Sequence, residues 1–181
     1  MEPGILVGYS MGARMALHVA LEHPSRVTTL ILISGTPGLR TETERTTRRD
    51  SDNELADHIE QVGTETFIDE WLALPMFSGL NNTTNGRSER LANTANGLAD
   101  SLRYAGTGTQ LSLWNDITQL QIPVHLITGQ HDEKFTDIAR QMNDIIPSST
   151  LNIVPDVGHT VHLENPITTA RLIDELFHNS E

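Results

Sequence analysis

Apolar residues gather in four short, nearly continuous runs along the chain, each closed by a turn residue. "GILVG" ends at Gly8, "VTTLILISG" at Gly35 and "PVHLITG" at Gly129, while "STLNIVP" stops just before "DVGH". Rich in Val, Ile and Leu and showing little alternation, they predict strands buried on both faces, as in a parallel sheet. Between them the spacing turns helical. "GARMALHVALEHP" places Met11, Met15 and Val19 on one face and stops before Pro24. "TDIARQMNDIIP" does the same with Ile138, Met142 and Ile145–Ile146 before Pro147. The tail "NPITTARLIDELFH" offers Asn165 as an N-cap and Pro166 at the first helical position. Alternating strands and helices predict the α/β class, a mostly parallel sheet flanked by helices.

One stretch breaks this rhythm. Residues 38–118 are charged, rich in Asn and Thr, and helical in pattern, and they separate the second apolar run from the third. An insertion at the carboxyl end of a strand falls over the binding crevice of an open sheet, so a helical cap is expected there, the alternative being a surface excursion. The core is then expected over residues 1–37 and 119–181, as one domain overall.

Composition narrows the function. A net charge of −12 argues against a nucleic-acid binder, which would carry a basic stripe. The chain has no cysteine, hence no disulfide and no thiol nucleophile. Its eight histidines show no paired-ligand spacing, so no metal and no cofactor is implied. The N-terminus has no basic region, and the apolar runs are far too short to span a membrane, which reads as cytoplasmic.

Chemistry is signalled at Gly8-Tyr9-Ser10-Met11-Gly12. A Gly-x-Ser-x-Gly motif between a strand and a helix is a nucleophile elbow, a strained turn that lifts the serine hydroxyl clear of the sheet. Gly8 and Gly12 are expected to supply the room, and the backbone N–H of Met11 to face a developing oxyanion. Serine needs a base, and the base an orienting carboxylate, in the chain order Ser, acid, His. Asp132 follows the third run in "GQHDEKF" and His159 follows the fourth in "PDVGHTVHLENP". Glu133 and Asp137 compete with Asp132, and His131 and His162 with His159.

The basic residues are almost all arginine, whose planar fork suits carboxylates. Arg14 lies one turn beyond the elbow, and Arg40, Arg45, Arg48 and Arg49 crowd the start of the cap, with Arg87 and Arg90 further on. Arginines near the nucleophile of an acidic protein suggest a small polycarboxylate substrate. Solvated surface charge is the other reading, better suited to Arg40, Arg49 and Arg87 than to Arg14. Trp71, Pro75 and Phe77 either line a pocket roof or glue the cap to the body, and spacing alone does not choose.

With these residues assembled, the chain resembles the 2-succinyl-6-hydroxy-2,4-cyclohexadiene-1-carboxylate synthases of menaquinone biosynthesis, a branch of the α/β-hydrolase superfamily. The similarity runs through "LVGYSMGARMAL", "PGLRTETERTTRRDSD", "FIDEWLALPMF", "RLANTANGLADSLRYAGTGTQLSLW", "TGQHDEKF" and "GHTVHLENP". The resemblance implies a lyase that eliminates pyruvate from 2-succinyl-5-enolpyruvyl-6-hydroxy-3-cyclohexene-1-carboxylate without an acyl-enzyme. It assigns the catalytic roles to Ser10, Asp132 and His159, pocket positions to Tyr9, Arg14, Arg48 and Trp71, and a further carboxylate contact to Arg90. Leu72 stands where some members carry an aromatic.

The family's sheet begins with strands and a His-Gly oxyanion loop ahead of the elbow strand, and none of these lies between Met1 and Gly4. The resemblance therefore implies an N-terminally truncated chain, the C-terminal portion of the fold, with the elbow strand as a bare sheet edge. An α/β-fold ester or carbon–carbon hydrolase using the same triad is the alternative within chemistry. An inactive fragment is the alternative outside it.

Overall fold

A computed structural model describes residues 2–178. Four parallel strands form one sheet in the order β1-β2-β3-β4: β1 (Gly4–Tyr9), β2 (Val27–Ile33), β3 (Val124–Gly129) and β4 (Ser149–Val154). Helices α1 (Met11–Glu22), α5 (Glu133–Ile145), α6 (Val161–Glu164) and α7 (Pro166–His178) accompany them, while α2 (Glu42–Leu72), α3 (Arg87–Arg90) and α4 (Ala95–Ala105) lie between β2 and β3 in sequence. The chain divides into two compact units, one running to Pro37 and resuming at Leu113, the other spanning Gly38–Ser112. None of the helices among the described residues is long and apolar enough to cross a membrane.

In the first unit, successive side chains of each strand point to opposite faces, so the unbroken apolar runs feed two cores. Leu30, Leu32, Val124 and Leu126 pack with Leu17, Trp114, Ile117 and Met142 on one face. Ile31, Ile33 and Ile127 pack with Val154, Val157 and Val161 on the other, with Leu172, Ile173 and Leu176 of α7 partly buried against them. α7 starts as the sequence predicts: Asn165 Oδ1 accepts the N–H of Thr168 at 3.1 Å and Pro166 opens the helix. At the other edge, β1 is outermost and, among the described strands, pairs with β2 alone.

The helix after the elbow buries a face of small residues around Leu17 and Arg14 and leaves its Met11, Met15 and Val19 stripe outside. Ala13, Arg14, Ala16, Leu17 and Ala20 are covered, while Met11, Met15 and Val19 are 47%, 42% and 39% exposed. Close approach explains this. A Cβ at Gly8 would lie 2.7 Å from the Ala13 backbone, so only glycine beneath and small residues above let α1 rest on the strands. Met142 in α5 and Ile146 at its C-cap are buried as the spacing predicts, whereas Ile145 is exposed.

The second unit is helical. Thr41 caps α2 in a reciprocal box with Glu44: the Glu44 N–H donates to Thr41 Oγ1, and Glu44 Oε2 accepts the Thr41 N–H. α2 is broken at Gly63, whose φ of 81° lies in the region that favours glycine. Ile59, Phe67 and Ile68 form its core with Leu55, Leu98 and Leu102 packed against them. The unit closes at Ser112, short of the expected boundary at 118, because Leu113, Trp114 and Ile117 are buried in the core of the first unit.

Candidate active site

Ser10 stands at the turn between β1 and α1 with φ 50° and ψ −108°, a conformation that L residues avoid and that costs on the order of 1–3 kcal/mol. Its surroundings hold it there. The Ser10 N–H donates to the carbonyl of Ile33 at 2.9 Å, and the Ser10 carbonyl accepts the Arg14 N–H at 3.2 Å. Gly8 is needed for the approach of α1 described above. Gly12 is not needed in the same way: a Cβ there meets nothing within 4 Å, contrary to the expectation that both glycines make room.

Asp132 and His159 come from the turns after β3 and β4, which are stitched together by the N–H of Gln130 on Val154 O and the N–H of His131 on Val157 O, each at 2.9 Å. His159 Nδ1 lies 2.6 Å from Asp132 Oδ2, and His159 Nε2 lies 3.1 Å from Ser10 Oγ. A carboxylate can only accept, so Nδ1 carries the proton; Nε2 of the neutral ring is then the acceptor for the serine hydroxyl. The His159 side chain is 2% exposed, which shields this series of bonds from water. The rivals are placed elsewhere. Glu133 and His131 are exposed, Asp137 pairs with Arg140 at 2.8 Å, and the His162 ring packs on Tyr9 with centroids 4.4 Å apart.

Around the imidazole stand two aromatic rings, Tyr9 at 5.4 Å and Phe135 at 4.6 Å between centroids. Met11 opens α1 directly after the serine, and Arg14 is buried one turn further on. Thus Tyr9, Ser10, Met11, Arg14, Asp132 and His159 all fall in the first unit.

Arg48, Trp71 and Arg90 belong to the second unit. Trp71 lies between the Phe67 and Phe77 rings, tilted to each, with centroids 5.7 and 5.8 Å away, and the Arg90 guanidinium lies 5.7 Å from the centre of the Phe77 ring. Most arginines of this unit are engaged by carboxylates. Arg45 and Arg49 both donate to Glu42, holding its carboxyl down to about 2, while Asp69 and Glu65 hold Arg87, and Asp57 and Glu60 hold Arg103. Arg48 and Arg90 differ: among the described residues each commits only Nε to a hydrogen bond, to Asp52 Oδ1 at 2.7 Å and to Asn85 O at 3.0 Å.

Three residues escaped the sequence reading. Phe135 stands one helical turn after Asp132, a spacing that could have flagged it. Ser34, at the end of β2 with φ 48°, donates its hydroxyl to the His159 carbonyl at 3.0 Å. Glu164 holds the loop around His159 and carried no sequence signal of its own.

Comparison with known proteins gives the family. A 2-succinyl-6-hydroxy-2,4-cyclohexadiene-1-carboxylate synthase of Enterobacter sp. (strain 638) is 31% identical over 94% of this chain and 65% of its own length. A Bacillus subtilis (strain 168) protein that carries the same synthase name provisionally is 43% identical over 94% of this chain and 64% of its own length. The solved structure of MenH from S. aureus superimposes with a TM-score of 0.92 at 32% identity, covering 96% of this chain and 67% of that one. The chain thus spans just under two thirds of the length of these curated relatives. The family model described as the alpha/beta hydrolase fold matches residues 2–166. That match takes in the elbow, the acid turn and the histidine loop together, and the chain accordingly belongs to the α/β-hydrolase family.

Proposed function

We propose that this chain carries the catalytic machinery of a lyase that eliminates pyruvate from 2-succinyl-5-enolpyruvyl-6-hydroxy-3-cyclohexene-1-carboxylate, giving 2-succinyl-6-hydroxy-2,4-cyclohexadiene-1-carboxylate. The observation that carries the reading is the hydrogen-bonded series from Ser10 through His159 to Asp132. The names of the related synthases support the choice of reaction.

The two double-bond patterns dictate the chemistry. The ring proton at C2, beside the succinyl ketone, is removed. Its electron pair forms C2=C3, the old C3=C4 pair moves to C4=C5, and the C5–O bond breaks to release enolpyruvate, which takes a proton and becomes pyruvate. Ser10 Oγ is the base, passing its own proton to His159 Nε2 as it takes the ring proton. Asp132 stabilises the imidazolium so formed and keeps the ring oriented. The Met11 N–H supports negative charge developing on the ketone oxygen. No acyl-enzyme forms.

Arg14, Arg48 and Arg90 bind substrate carboxylates, and Tyr9 and Trp71 contact its apolar parts. Unengaged terminal nitrogens favour Arg48, which gives Asp52 only its Nε, and Arg90 over Arg49 and Arg103, since a fork with both ends engaged has nothing to offer a carboxylate. The substrate is a small molecule and the compartment is the cytoplasm.

Pyruvate release, followed with a coupled reductase, tests the reading. Ser10→Ala is expected to lower kcat by about 1,000-fold or more while leaving the unfolding transition in place. Full release by Ser10→Ala overturns the reading. A Ser10-dependent burst from an activated ester, with no pyruvate formed from the cyclohexene, transfers the site to acyl transfer.

A further inference from the structure

His159 is controlled at its ring by Asp132, Tyr9 and Phe135, but an imidazole is only as well placed as the backbone that carries it. Here the backbone is held with unusual thoroughness. The Ser34 hydroxyl donates to the His159 carbonyl at 3.0 Å. One carboxylate, that of Glu164, accepts the N–H of the residue before and of the residue after: Gly158 N–H reaches Oε2 at 2.8 Å and Thr160 N–H reaches Oε1 at 3.1 Å. The Thr160 hydroxyl adds a third bond to Oε1 at 2.7 Å.

We propose that Glu164 is a positioning residue for His159, its carboxylate straddling the histidine and fixing the peptide plane that follows it together with the one that ends at Gly158. The proposal rests on the reading of His159 as the proton carrier. Rotation about the backbone bonds flanking His159 would swing Nε2 away from Ser10 Oγ. The plane after the histidine is held at both its Thr160 N–H and its His159 carbonyl, and the chain before it is anchored at Gly158, which narrows that freedom. Bonds to an ionised acceptor are about twice as strong as neutral ones, so a carboxylate suits this task better than an amide or hydroxyl.

A role limited to starting α6 does not account for the contacts. Glu164 ends that four-residue helix, and one of its oxygens reaches past the helix start to Gly158, which lies outside it. Glutamine fits the space but replaces one acceptor oxygen with an amide donor that faces an N–H. Aspartate is one methylene too short to span both sides.

The test compares the full chain with Glu164→Gln, Glu164→Asp, Thr160→Val and His159→Ala, reading kcat and KM for pyruvate release, the pH–rate profile, and the low-field imidazole N–H proton in NMR spectra. In the parent, the Nδ1–H shared with Asp132 is expected to give a resonance that His159→Ala removes. In folded Glu164→Gln that resonance broadens or moves, kcat falls by about 10- to 100-fold at unchanged KM, and the acidic limb of the pH profile shifts. Glu164→Asp restores none of this, and Thr160→Val, which loses one side-chain bond, lies between parent and Gln.

An unchanged resonance, kcat and pH profile in folded Glu164→Gln overturns the proposal. So does a loss of rate that merely follows the folded fraction. If Glu164→Gln fails to fold, Thr160→Val decides by the same readouts, an unchanged resonance counting against. If the parent itself releases no pyruvate, the lyase reading fails, and the NMR comparison alone decides the role of Glu164.

Discussion

β2 buries all but one of its seven residues, whereas α2 buries five of its thirty-one. The contrast extends to the units they belong to. The first unit is a sheet with apolar cores on both faces, and the polar bonds that matter in it converge on one histidine. The second has a small core at Ile59, Phe67 and Ile68 and is laced outside by Arg–carboxylate pairs. Fold strength concentrated in a buried sheet can hold a strained serine and a fixed imidazole. Exposed ion pairs contribute little each and give way to salt and acid. Each unit carries one of the chain's two tryptophans, Trp114 in the first and Trp71 in the second, so single-tryptophan variants report on them separately.

The largest effect is expected at the centre of the sheet. Leu126 is 2% exposed and faces the core beside Leu32 and Met142. Leu126→Ala should cost about 2–5 kcal/mol in urea unfolding read at Trp114, because a cavity in a two-sided core collapses poorly. A loss under 1 kcal/mol would mean that the strand interior is less tightly packed than its burial indicates.

A smaller effect is expected in the second unit, where one backbone angle rather than packing is decisive. Gly63 breaks α2 with φ 81° and ψ 170°, and an added Cβ would meet nothing within 4 Å. Gly63→Ala therefore isolates the conformational penalty from any clash. About 1–3 kcal/mol is expected, read at Trp71. A neutral or stabilising result would show that the helix can run straight through this point.

How far the sequence revealed these features depends on the distance over which they are determined. β2 and β3 were legible because burial on both faces leaves an unbroken apolar run in the local sequence. Asp132 and His159 were legible because an acid and a histidine followed the ends of such runs. The buried face of α1 was misleading: Met11, Met15 and Val19 form its largest apolar stripe, but contact with the strands is set by the smallness of Ala13 and by Gly8. Ser34 was hidden for a different reason. Its partner lies 125 residues away, and nothing beside the end of β2 marks one hydroxyl as the support of a distant carbonyl.

Acid should separate the two units most gently. In the second unit the resolved carboxylate shifts all run downward: Glu42 to about 2 through hydrogen bonds from Arg49 and Arg45, with Glu44, Glu60 and Asp69 lowered by Thr41, Arg103 and Arg87. A carboxyl depressed by folding stabilises the fold above its ordinary value near 4.5 and loses that contribution as pH falls toward 2. In the first unit His125, half-buried on β3, is lowered from 6.5 by burial. A base depressed by folding also stabilises at higher pH, and its loss begins as pH falls below 6.5, where the unfolded chain takes the proton first. Stability measured at Trp114 should therefore begin to decline below about pH 6.5, and His125→Gln should remove that early decline. Stability measured at Trp71 should hold until the carboxylate range and then fall, an effect that Glu42→Gln weakens and added salt blunts. Declines starting at the same pH at both tryptophans, unaltered by either substitution, would show that acid acts on the two units through one shared transition and not through these local pairs.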